Sequence, residues 1–343
     1  MHASQAKMPQ VLNLRTGELV EVRNKDEILA TLDHLGRLDS LPFMPEMLQY
    51  CGKRFRVFKR AHKTCDTIEK TGGRRMTNAV HLEGVRCDGT AHGGCQAGCL
   101  IFWKEAWLKR VSDKDMSAET ASFADSICTE EKLRTATRRA PESSGPQEEI
   151  FVCQATELRR ATSELAWWDI RQYINDVRSG NVGLGDLVRA LLFWLFTKAL
   201  RVGACRALLF SYNSLQRIRG GCLYPFYEGK LSGPTPDERL DLKPGELVQV
   251  KTYDEILGTV NRRRRNRGLS FDPEMVPYCE GTFRVLRRVE KIINEKTGRM
   301  MTISNDCVIL DGVTCTAQYS QKRLFCPRSI YPFWREIWLR RAP

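Results

Sequence analysis

Gly17-Glu18-Leu19-Val20-Glu21-Val22 returns 228 positions later as Gly245-Glu246-Leu247-Val248-Gln249-Val250. The same offset matches Asp26-Glu27-Ile28-Leu29 with Asp254-Glu255-Ile256-Leu257, and Pro45-Glu46-Met47 with Pro273-Glu274-Met275. It also matches Tyr50-Cys51 with Tyr278-Cys279 and Phe55-Arg56-Val57 with Phe283-Arg284-Val285. After a shifted loop it sets Gly84-Val85-x-Cys87 against Gly312-Val313-x-Cys315. A three-residue insertion then brings Cys95 opposite Cys326, and Phe102-Trp103-x-Glu105-x-Trp107-Leu108 opposite Phe333-Trp334-x-Glu336-x-Trp338-Leu339. The 343-residue chain therefore carries one module twice, at residues 13–110 and 242–341, each long enough for its own core.

Inside a module, Leu19-x-Val22 and Phe55-x-Val57 alternate as half-buried strands do, His81 to Val85 is short and bounded by turns, and Asp26 to Leu32 has the spacing of one short helix. Four or five short strands with no crossover pattern give the expectation of an α+β protein built on two tandem small β-barrels. Lys243-Pro244-Gly245-Glu246-Leu247-Val248-Gln249-Val250, followed by Tyr278-Cys279-x-Gly281-x-Phe283-x-Val285, resembles the first two strands of an SH3-like barrel. Nitrile hydratase beta subunits and several ribosomal proteins open in a similar way. That resemblance covers about forty residues per module and implies a fold rather than an activity. The two-copy arrangement also resembles an uncharacterised bacterial family, a likeness that brings no activity with it.

Residues 111–149 are rich in Ser, Thr, Ala, Glu and Asp and end in an Ala-Pro-Glu-Ser-Ser-Gly-Pro run, a composition expected of a flexible linker with a short helix near 118–126. Residues 150–235 read as a helical connector. Trp168, Ile170, Tyr173, Ile174 and Val177 recur at helical spacing, Ser179-Gly180-Asn181 ends that helix, and Asp186 opens a second. No stretch is long and apolar enough for a transmembrane helix. Trp194 and Phe196, bracketed by cations, leave open a peripheral membrane contact by 187–200.

The thirteen cysteines belong to a chain with no secretory leader pattern, so reduced thiols and a cytoplasmic location are expected. Three of them recur in register, and thiolates brought together from separate loops suit a metal. Cys51, Cys87 and Cys95 are the frame in the first copy, where Cys99 or His92 can supply a fourth ligand. Cys279, Cys315 and Cys326 are the frame in the second, with Cys307 the spare thiol. Zinc as a structural staple is the leading expectation, and an iron–sulfur cluster is the alternative. A cysteine nucleophile with His81 or His92 as base is a further expectation for the first copy alone. Glu105 and Glu336 are read as solvent-face or ion-paired residues, and Glu46 and Glu274 as turn or capping residues.

The net charge of +13 raises the question of an anionic partner, nucleic acid or a lipid surface. Arg262, Arg263, Arg264, Arg265 and Arg267 form a basic run facing His34-Leu35-Gly36-Arg37 in the other copy, which sets it outside the repeated design. No phosphate-binding loop, nucleophile elbow or His-Glu-x-x-His occurs. The reading from sequence is a non-catalytic, metal-stabilised tandem binding protein with a protein partner. A metalloenzyme centred on the first module and a nucleic-acid-binding protein using the arginine run are its alternatives.

Overall fold

The computed structural model describes residues 11–111, 127–139, 149–201, 206–219, 229–320 and 322–342. It divides into two compact units. One joins Met1–Val182 to Ile293–Met301 and Cys326–Arg328, and the other joins Gly183–Ile292 to Thr302–Phe325 and Ser329–Pro343.

In the first unit, strands Leu19–Val22 (β1), Arg54–Arg60 (β2), Ala79–Leu82 (β3), Trp103–Lys104 (β4) and Leu108–Arg110 (β5) make an antiparallel sheet in the order β4-β3-β2-β1-β5. In the second, Leu247–Val250 (β6), Thr282–Arg288 (β7), Cys307–Leu310 (β8), Trp334–Arg335 (β9) and Leu339–Arg341 (β10) repeat it as β9-β8-β7-β6-β10. Even the irregularity is copied, since the register shifts between Val57 and Lys59 in one sheet and between Val285 and Arg287 in the other. The protein is α+β with open antiparallel sheets. The expected barrel closure is absent among the described strands, because the two-residue β4 and three-residue β5 lie at opposite edges of the sheet and pair with different neighbours.

Each core is organised around the tryptophans that flank the repeated glutamate. Phe43 meets Trp103 and Trp107 edge-on, at centroid distances of 6.1 and 5.1 Å, and Phe271 does the same with Trp334 and Trp338 at 6.5 and 5.5 Å. Such T-shaped pairs place positive ring edges on negative faces. The inner indole of each copy also finds a polar partner. Trp107 Nε1 donates to Thr31 Oγ1 and Trp338 Nε1 to Thr259 Oγ1. The short helices Lys25–Leu29 (α1) and Tyr253–Leu257 start on reciprocal capping boxes, Asn24 with Glu27 and Thr252 with Glu255, which satisfy N–H groups that a helix start leaves unpaired.

Glu105 and Glu336 are not solvent-face residues. Each is 1% exposed and accepts three successive backbone N–H bonds from the segment entering the sheet. For Glu105 the donors are Leu12, Asn13 and Leu14, and for Glu336 they are Leu240, Asp241 and Leu242. Arg288 adds an ion pair to Glu336 at 2.6 Å.

Part of the expected linker is among the described residues. Residues 127–139 carry helix Glu130–Thr135 (α2) and a strand, Arg138–Arg139, paired with Ile150–Phe151. Cys128 and Leu133 are buried in the first core, an apolar anchorage that the polar composition concealed. The expected helix at 118–126 lies outside the described residues. Helix Gln154–Glu157 (α3) follows, and then Arg171–Arg178 (α4), which buries Gln172 and Asp176 while Trp168, Ile170 and Ile174 are exposed. That polarity is the reverse of the one read from apolar spacing, because Asp176 is buried by Lys63 at 2.5 Å and His62 at 3.3 Å. Helix Leu184–Arg201 (α5) exposes Leu184, Val188, Leu191, Leu192 and Leu195. Among the described residues no helix is long and apolar enough to cross a membrane.

Candidate metal centre in the first module

Glu46 lies at the start of the 3-10 turn Pro45–Tyr50, where Pro45 fixes the entry and Met47 enters the core. Opposite it, Cys87 leaves the Gly84 turn with its N–H bonded to the Cys99 carbonyl at 2.8 Å. The loop from Asp88 to Cys95 then coils tightly, with His92 and Gly94 N–H both returning to the Gly89 carbonyl. Gly89 is required there. Its φ is +76°, and a Cβ would meet the Cys95 carbonyl oxygen at 2.0 Å. The coil turns His92 inward, to 1% exposure.

Three different donor atoms meet as a result. Glu46 Oε1 lies 2.9 Å from His92 Nδ1 and accepts from Cys87 Sγ at 3.1 Å. His92 Nε2 donates to the Val152 carbonyl at 3.0 Å, which fixes the ring and turns Nδ1 toward the other two groups. The ligand atoms of Glu46, Cys87 and His92 all lie within 4.8 Å of one another, and Glu46 Oε2 is buried with no hydrogen-bond partner.

A cavity of about 40 Å³ adjoins the group, lined by Cys87, His92, Cys95, Cys99, Cys153 and Arg328 among others. Burial, reinforced by the Glu46 carboxylate, pushes the Cys87 thiol up from its ordinary range. Burial likewise raises Cys99 to about 11 and Cys153 to about 12. Protonated thiols are poor nucleophiles, and the hydrogen bond of Cys87 Sγ goes to the Glu46 carboxylate, with the His92 imidazole within 4.8 Å. His81 stands elsewhere. Its Nδ1 bonds the Ile101 carbonyl at 2.8 Å, and burial lowers its pKa to about 3.

The remaining frame cysteines do not assemble as the repeat suggested. Cys51 packs against the first core just after the 3-10 turn and is not part of the three-donor group. Cys95 and Cys99 lie on the cavity wall, where Cys95 Sγ accepts from the Ile293 N–H at 3.4 Å. In the second copy the backbone follows the alignment, since Cys315 N–H bonds the Ile330 carbonyl as Cys87 does that of Cys99. The side chains diverge. Cys279 packs on the second core, and Cys307 is buried with its thiol on the Val289 carbonyl and its pKa raised by burial to about 11. Cys326 belongs to the first unit, hydrogen-bonded to Cys65. Among the described residues Cys279, Cys307, Cys315 and Cys326 form no metal-sized group.

Glu46 was missed as a candidate ligand, although its recurrence as Glu274 was visible. Glu274 accepts from Thr316 Oγ1 at 2.9 Å and Tyr319 N–H at 2.8 Å. In both copies this glutamate therefore holds the loop after the Gly-Val strand, and only the first copy presents a thiol and an imidazole to it.

The arginine run is in fact part of the repeated design. Asn261 Oδ1 accepts from the N–H groups of Arg263 and Arg265, as Asp33 Oδ1 does from Leu35 and Arg37. Arg264 takes the left-handed position of Gly36, with φ +61° against +69°. Arg262, Arg263, Arg265 and Arg267 are exposed, and Arg267 pairs with Asp237 at 3.4 Å. No protein-family model matches this sequence, and no curated protein is significantly similar to it.

Proposed function

We propose that the chain is a non-catalytic tandem-module binding protein whose first module is stapled by a zinc ion on Glu46, Cys87 and His92. The observation that carries this is the convergence of these donors within 4.8 Å, together with the orphaned oxygen Glu46 Oε2. A mixed oxygen, sulfur and nitrogen set suits zinc. A ligating histidine commonly donates its other ring N–H to a backbone carbonyl, the role that Val152 takes here. An iron–sulfur cluster needs several thiolates on one centre, and only Cys87 of the thiols belongs to the group. Bound zinc would supply folding energy and draw the proton from Cys87. Cys95, Cys99 and Cys153, on the adjoining cavity, are the nearest sources of a further ligand. The SH3-like reading of each module is supported by the strand order and by the 3-10 turns Glu105–Trp107 and Glu336–Trp338 before the last strands.

Elemental analysis of anaerobically purified protein, with its absorption spectrum, tests the proposal. About one zinc per chain and a colourless solution are expected, and Cys87→Ser is expected to lose the metal and destabilise the first module. A metal-free folded protein, or a brown one absorbing at the thiolate-to-iron band, overturns it.

A further inference from the structure

Arg60 and Arg288 hold the same register position, opposite Val80 on β3 and Val308 on β8, yet their electrostatic surroundings differ. Arg288 is compensated by Glu336 at 2.6 Å, Asp306 at 2.5 Å and Asp241 at 3.8 Å. The first copy keeps the glutamate as Glu105 but has Asn13 and Asn78 where the second has Asp241 and Asp306. Asn13 and Asp241 even share the left-handed backbone, with φ +51° and +50°. Arg60 hydrogen-bonds Asn13 Oδ1 at 3.1 Å and forms no ion pair among the described residues. Two exchanges of carboxylate for amide have released its charge.

Arg60 opens onto a cavity of about 260 Å³, lined also by His62, Arg75, Asn78, Arg171 and Gln172, with no carboxylate in its wall. Behind the wall Asp169 bridges Arg75 and Arg171 and Asp176 pairs with Lys63, so local cations outnumber local carboxylates. His62 Nε2 faces the Gln172 carbonyl at 3.2 Å and Asp176 Oδ1 at 3.3 Å, while its Nδ1 is buried without a hydrogen-bond partner. None of these residues belongs to the metal centre.

We propose that this cavity binds a small phosphate monoester, with the phosphate seated among Arg60, Arg75, Arg171 and His62. Its volume falls below the roughly 300–1,000 Å³ of sites for drug-sized ligands, which selects a small molecule. A carboxylate is satisfied by one bidentate guanidinium. Donors converging from β2, the strand Gly73–Arg75 and α4 instead match the several oxygens of a tetrahedral dianion.

Calorimetric titration of the full chain with ribose 5-phosphate, inorganic phosphate and acetate tests this. Ribose 5-phosphate is expected to bind, phosphate to bind more weakly and compete with it, and acetate to give no heat. Asn13→Asp with Asn78→Asp restores the second copy's carboxylates and is expected to weaken ribose 5-phosphate by about tenfold or more with thermal unfolding unchanged, since each tenfold is about 1.4 kcal/mol. Arg171→Ala, at an exposed position, should weaken it similarly should the double variant not fold. Undiminished affinity in a folded variant, no heat from either phosphate, or an oligonucleotide binding more tightly than the monoester overturns the proposal.

Discussion

Replacing Glu105 or Glu336 by Ala is expected to cost about 3–5 kcal/mol, the range for stripping the partner from a buried charged network. Three consecutive N–H groups converge on each carboxylate. Leu14 and Leu242, which supply the innermost of these, are themselves fully buried, so water cannot replace the lost acceptor. Glu336→Ala is expected to be the costlier, because Arg288 loses its fully buried partner as well. Glu105→Gln should fall between Ala and wild type, since one amide oxygen can accept where two carboxylate oxygens did, while its NH₂ faces other donors. Denaturant titration, with hydrogen exchange at residues 12–14 and 240–242, provides the measurement. A loss below about 1 kcal/mol would show that the entering segment is held by packing instead.

The second large effect concerns acid. His81 is fully buried, its Nε2 has no partner, and desolvation lowers its pKa from 6.5 to about 3. A depressed folded-state pKa favours the neutral ring. The stability it confers is therefore complete above about 6.5 and drains away as pH falls toward 3, at about 1.4 kcal/mol per pH unit. By about pH 4.5 the first unit is expected to have lost about 2.7 kcal/mol through this one ring. The second copy shows the remedy, with Ile309 at the equivalent position and equally buried. His81→Ile should flatten the acid limb and remain within about 1 kcal/mol of wild type near neutrality, where an unsatisfied nitrogen is exchanged for an apolar fill at the loss of the Ile101 hydrogen bond. Hydrogen exchange of 79–82 at neutral and acid pH checks it. An unchanged acid limb in the variant would transfer the effect to other groups.

The parts of the structure legible in the sequence were those written in local pattern. Period-two alternation placed Leu19–Val22 and its copy, and the fixed offset, lengthened by three residues before the tryptophans, carried strand register, turn and tryptophan core from one module to the other. What stayed hidden depends on which donors face which acceptors across long separations. Glu105 reaches residues 12–14 over more than ninety positions, and nothing local distinguishes it from a surface glutamate. Of the metal-centre candidates, Cys87 and His92 were visible as soft donors, whereas Glu46 was mistaken for a cap because its partner comes from a loop 46 residues on. Cys326 shows the opposite failure. Sequence register placed it with Cys95, but fold membership placed it with Cys65. Polar composition similarly concealed residues 127–139, where the two apolar side chains Cys128 and Leu133 suffice for anchorage.

The turn shared by Asp33–Arg37 and Asn261–Arg265 makes the two copies unequal as spare parts. A Cβ on Gly36 would stand 2.8 Å from Leu133 Cδ1, so the first turn is covered by α2 and a side chain where Arg264 sits in the second would have to displace Leu133. Exchange of the two turns is consequently one-way. The glycine version fits either frame without displacing a neighbour, whereas the arginine version in the first frame must push Leu133 aside. The two turns are therefore covered from different directions, the first by Leu133 of α2 and the second by the segment that bridges Leu231 to Asn261.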